Sequence, residues 1–242
     1  VSLYAQNEAG YKRLMLLSSR AYLDAADGVP KLHRDLLLDE TDGLILLTGG
    51  AEGEVARHLL KGRTADARTE LSTLAAAYPG RCYVEITRHG TDDEYATEDG
   101  LVDLAYELGL PLVATHDARF MKSSDAKAHD AMMCISNGQY LGQEDRKRVD
   151  PSQYLKTAAE MADLFADLPE AILNTAEIAR RCAVKAETHK PILPNFSKEG
   201  RSESEELRKQ AVEGLEYRLS EADKLYADRE TYFERLDYEL SI

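Results

Sequence analysis

Three short apolar runs, each followed by a helical pattern, limit the fold of this chain more than any other feature. They lie near residues 44–48 (LILLT), 82–87 (CYVEIT) and 111–115 (PLVAT). Each is too short for a core helix, and its apolar character is continuous, as in strands buried on both faces. Gly49-Gly50 closes the first as a tight turn, and Arg88-His89-Gly90 ends the second. Helical spacing of apolar residues occupies 8–23, 53–61, 64–77 and 95–108, the last stopped by Gly109. Strands that alternate with helices predict an α/β fold with a parallel sheet and right-handed crossovers.

After Phe120 the character changes. Ser123 or Ser124 can cap a helix running to about Ile135, and Asn137-Gly138 signals a turn. Helices are expected at 157–166 and at 169–182, where Pro169 suits a first turn. Residues 187–201, with Pro191 and Pro194, are the best linker, and charged helical patterns follow at 203–219 and 228–241.

Composition excludes several classes. No run approaches the roughly 18 apolar residues of a membrane span, and no basic-then-apolar leader opens the chain. Cys82, Cys134 and Cys182 are odd in number and widely spaced, which favours a reducing, cytoplasmic setting. A net charge of −14 opposes contact with phosphate backbones through this segment. The ends, Val1 and Ile242, read as those of a fragment.

Chemistry in such folds sits at the C-terminal ends of the strands. His89, just past one strand end, is a candidate metal ligand or acid/base group, against a plain exposed loop histidine. Asp117, past the 111–115 strand, suits a divalent metal, against ordinary loop hydrogen bonding. Arg119 cannot ligate a metal and is the candidate phosphate-binding or cation-replacing group. Glu85, inside a strand, lines a polar interior, faces solvent or pairs with an arginine. Strand alternation would point His116 and Asp117 apart. His129 reads as part of a solvated helix face, and His33, His58 and His189 have no companion at ligand spacing. The Gly49-Gly50-Ala51-Glu52-Gly53 loop lacks the lysine and hydroxyl of a P-loop.

Several stretches nevertheless resemble one family in collinear order. Leu3-Tyr4-Ala5-Gln6-Asn7-Glu8-Ala9-Gly10-Tyr11, Gly43-Leu44-Ile45-Leu46-Leu47-Thr48-Gly49, Tyr83-Val84-Glu85-Ile86-Thr87-Arg88-His89-Gly90 and Val113-Ala114-Thr115-His116-Asp117-Ala118-Arg119-Phe120 are similar to segments of the alpha subunit of bacterial DNA polymerase III, the replicative C family. Glu160–Phe165, Asn174–Ala179 and Glu234–Leu240 extend the resemblance through the chain.

The resemblance implies the later part of a polymerase and histidinol phosphatase (PHP) domain at 1–185, an incomplete, distorted β/α barrel. A linker and the helical start of a polymerase core would follow at 186–242. It implies a parent DNA-directed DNA polymerase, cytoplasmic, whose magnesium-binding carboxylates lie outside this chain. Active PHP domains bind zinc or manganese at strand tips. His89 and Asp117 match such positions, while Arg119 stands where a metal-binding member has histidine. The implied role is a scaffold docking a proofreading exonuclease subunit and other replicase subunits, with DNA held by other parts of the parent and no membrane contact. The alternative is a metal-dependent phosphoesterase or 3′–5′ exonuclease.

Overall fold

A computed structural model describes the chain apart from residues 26, 192, 198, 199, 201 and 223. The described residues divide into two compact units, Val1–Ala186 and Glu187–Ile242.

In the first unit the elements run β1 (Ser2–Ala5), α1 (Glu8–Leu23), α2 (Arg34–Leu38), β2 (Leu44–Leu47), α3 (Glu54–Leu60), α4 (Thr64–Ala77), β3 (Cys82–Thr87), α5 (Asp92–Leu108), β4 (Leu112–Thr115), α6 (Ala126–Asn137), α7 (Ala158–Leu164) and α8 (Pro169–Arg181). The sheet order is β1-β2-β3-β4. Strands β2, β3 and β4 are parallel, with Leu46 opposite Cys82 and Val84 opposite Leu112. The mixed architecture and mostly parallel sheet agree with a PHP-type partial barrel.

Two elements depart from the sequence expectation. β1 pairs antiparallel with β2, Ser2 opposite Leu47, so the sheet is mixed. A four-residue edge strand is too short to show an alternation. α2 is likewise a five-residue helix with no capping side chain.

Helix ends also moved. α5 begins at Asp92 rather than 95, because Thr91 and Glu94 form a reciprocal capping box. Neither Ser123 nor Ser124 caps α6. Those residues form a 3₁₀ turn, and Asp125 instead accepts from the Lys122 amide at 3.1 Å.

Both faces of the parallel strands are buried, which accounts for their unbroken apolar runs. Leu44, Leu46, Val84, Ile86, Leu112 and Ala114 pack with Val55, Leu71, Leu74, Leu101 and Phe165. On the opposite face Ile45, Leu47, Tyr83 and Val113 meet Ile178 of α8. α1 is drawn against the sheet by a close backbone approach. Asn7 caps it by accepting from the Gly10 amide at 3.0 Å. A Cβ at Gly10 would lie 1.9 Å from the Gly43 carbonyl oxygen, and Gly43 itself has φ 73°. Only glycine fits both requirements without moving backbone.

The second unit contains α9 (Glu203–Glu221) and α10 (Arg229–Glu239), the mainly helical segment expected. Ser202 and Asp228 cap them, and Arg208 pairs with Asp237 at 2.5 Å. Of the linker expected over 187–201, residues 192, 198, 199 and 201 lie outside the described residues.

Gly10→Ala forces a methyl group into backbone that cannot swing aside. It should destabilise residues 1–242 by about 2–3 kcal/mol, read as a lower urea midpoint at unchanged slope.

Candidate functional site

The site grows from the tips of β3 and β4, where parallel pairing carries Thr87 alongside Thr115. Beyond those residues the chain leaves the sheet on both strands. His89 and His116 then stack with ring centroids 4.7 Å apart.

Glu94 in the first turn of α5 organises the β3 side. One carboxylate oxygen accepts from the amides of His89 (2.7 Å), Gly90 (2.9 Å) and Thr91 (3.1 Å). The other meets His89 Nδ1 at 2.7 Å. Burial by itself pushes the Glu94 carboxyl up. The hydrogen bonds from His89, Thr91 and Thr87 outweigh it and hold the group at about 2. His89 Nε2 lies 3.2 Å from the Asp117 amide, which donates to it. With its proton on Nδ1, the ring serves both partners. A carboxylate holding one imidazole nitrogen so that the other is aimed is the usual arrangement behind a metal-ligating histidine.

The remaining donors are engaged elsewhere. Asp117 Oδ2 accepts from Arg119 Nε at 2.7 Å and lies 2.6 Å from its Nη2. Gln153 Nε2 donates to the same oxygen at 3.3 Å. His116 Nε2 donates to the Tyr154 carbonyl at 2.9 Å. Desolvation, with the charge of Lys156 adding to it, lowers the His116 pKa. Among the described residues no three His, Cys, Asp or Glu side chains converge to hold a metal ion. The residues present therefore do not fit the zinc or manganese that the family resemblance implies. His89 and Asp117 come together, but through a backbone amide, and a guanidinium sits on the carboxylate.

Other sequence candidates find structural partners. Glu85 lines the interior: it is buried and accepts from the Gly49 amide at 2.8 Å and from Thr115 Oγ1 at 2.6 Å. Its capture of the Gly49 amide engages that donor from within the protein. His129 is not on a solvated face. It is half-buried, its ring 5.5 Å from Phe120. His116 and Asp117 do meet in one cluster despite the alternation argument, because both lie past the end of β4. His58 lies 3.7 Å from Glu54 and 4.0 Å from Asp66. Arg88, beside His89, braces the fold. It reaches Glu98 at 3.1 Å, the Leu164 carbonyl at 2.7 Å and Asp167 at 2.6 Å, with its guanidinium carbon 4.6 Å from the Phe165 ring. Asp167 first, then Glu98, raises its pKa.

Sequence reasoning missed Glu94, Ser152 and Gln153. The Thr91-x-x-Glu94 spacing is a capping-box signal that could have found the first. Nothing local marks the other two.

Residues 1–89 match the family model described as the PHP domain. The mostly parallel β/α sheet is consistent with that match to a PHP-type fold. Over its whole length the chain is similar to proteins named DNA polymerase III subunit alpha: 48% identical to that of Caulobacter vibrioides (99% of this chain), 39% to that of Escherichia coli and 38% to that of Pseudomonas fluorescens (100% of this chain in each). Along its whole length the chain is thus similar to bacterial DNA polymerase III alpha subunits, and it spans 21% of the length of these relatives.

The ionised Glu94 cap contributes stability above pH 4.5, its ordinary value, and loses it as pH falls toward 2. Glu94→Gln should cost about 2 kcal/mol at pH 7. The gap between variant and wild type should close progressively below pH 4.5 in denaturation curves taken across that range.

Proposed function

We propose that this chain is part of a DNA-directed DNA polymerase that adds deoxynucleoside monophosphates to a primer 3′ end, with magnesium held by carboxylates outside residues 1–242. The observation that carries the reading is the collinear similarity to DNA polymerase III alpha subunits along the whole chain. Its own segment acts as scaffold and docking surface for a proofreading exonuclease subunit and other replicase subunits, in the cytoplasm. Two observations support a scaffold. Asp117 is neutralised by Arg119 within the protein, and the net charge of −14 disfavours DNA contact through this segment. Among the described residues no helix is long and apolar enough to cross a membrane.

The test uses the intact gene product. It should extend a primed template, and Asp117→Asn should leave both primer extension and any 3′–5′ nuclease activity within about twofold of wild type, under one hydrogen bond's worth of change. A nuclease activity abolished by that substitution would instead establish the phosphoesterase or exonuclease reading. A product near 27.0 kDa on immunoblot, without primer extension, would defeat the polymerase assignment.

A further inference from the structure

Residues 150–157 cross the strand tips as a strap. The Arg119 amide donates to the Gln153 carbonyl at 2.8 Å, and the Leu155 amide donates to the Phe120 carbonyl at 2.9 Å. Phe120 and Tyr154 thereby form a parallel bridge that continues the sheet past β4. Ser152 Oγ donates to the His89 carbonyl at 3.2 Å, and the Tyr154 carbonyl accepts from His116. Every polar anchor of the strap to the strand tips thus falls on the His89, His116, Asp117, Arg119 and Phe120 cluster.

The strap is braced within itself as well. Lys156 Nζ donates to the Ser152 carbonyl at 2.6 Å and sits 4.1 Å from the centre of the Tyr154 ring. The Tyr154 hydroxyl donates to Glu160 at 2.5 Å, and Thr157 caps α7. It is therefore a pre-shaped piece rather than a loose loop.

What it lacks is a share in the core. Among the described residues no buried apolar side chain comes from 139–157. The strap is held by hydrogen bonds and one ion-paired carboxylate, without the apolar burial that anchors the helices. Segments of that kind open at a small fraction of the global unfolding free energy. Beneath it, the His89 side chain is only 8% exposed although it lies in a loop.

We propose that residues 150–157 are a hinged lid over the strand tips, latched by Gln153 on the Asp117 carboxylate and by Ser152 on the His89 carbonyl, and that its opening uncovers the His89 ring while the sheet stays folded. Gln153 and Ser152 are positioning residues for the latch. The inference rests on this chain's own contacts and stands whether or not the polymerase reading holds.

Histidine modification by diethyl pyrocarbonate, read by mass spectrometry on the intact gene product, tests it. Hydrogen exchange at the β3 amides reports the fold in parallel. In wild type, His89 should react well below its rate in urea-denatured protein. Gln153→Ala should raise the native rate about tenfold, as expected when one hydrogen bond of a closing contact is lost, with β3 protection intact. Ser152→Ala, which removes the hydrogen bond to the His89 carbonyl, should do the same, and it decides the matter if the first variant fails to fold. Wild-type His89 reacting at the denatured rate would overturn the lid. So would an unchanged rate in both variants, or β3 protection lost in both.

Discussion

The contact between Glu94 and the end of β3 is the constraint on which the strand-tip region depends. One carboxylate takes three consecutive backbone N–H groups at 2.7–3.1 Å and the ring nitrogen of His89. Backbone donors at a helix start must be satisfied, and a charged acceptor there also meets the helix dipole favourably. Here one side chain caps α5, shapes the turn after β3 and sets the orientation of His89. The His116 stacking and the Asp117 amide contact both follow from that orientation. The same carboxylate occupies a row of amides at the end of β3 that an external anion would otherwise find.

Around this centre the protein repeatedly meets its own charges internally. Arg119 answers Asp117, Arg88 answers Glu98 and Asp167, and Arg146, buried, answers Asp130. Arg88 carries the most weight, since it ties the end of β3 to α5 and to the turn between α7 and α8 in one guanidinium. A planar group with five donors can join three segments at once, which a lysine cannot. Such self-pairing leaves these charged groups committed within the protein. A hydrolytic metal site needs the opposite, carboxylates and imidazoles left free to point at one ion.

At the strand tips a histidine and a carboxylate sit close together, yet Asp117 faces a guanidinium and His89 is held by Glu94. The sheet beneath remains a conventional buried parallel core. Tip chemistry and sheet packing are separable here, because no tip residue belongs to either apolar cluster.

Local pattern determined much of this fold. Continuous apolar runs specified β2, β3 and β4, since strands buried on both faces have no polar alternation, and 3.6-residue spacing specified α1 and α4 to both ends, Glu8–Leu23 and Thr64–Ala77. The sequence also placed His89, Asp117 and Arg119 past strand ends. It did not determine that β1 runs antiparallel, because a four-residue edge strand takes its direction from its partner. Nor did it reveal that Glu85 turns inward, or that Ser152 reaches the His89 carbonyl from 63 residues away and Gln153 the Asp117 carboxylate from 36. Those choices belong to the tertiary structure, because a carboxylate or an imidazole has no partner until strands distant in sequence are laid side by side.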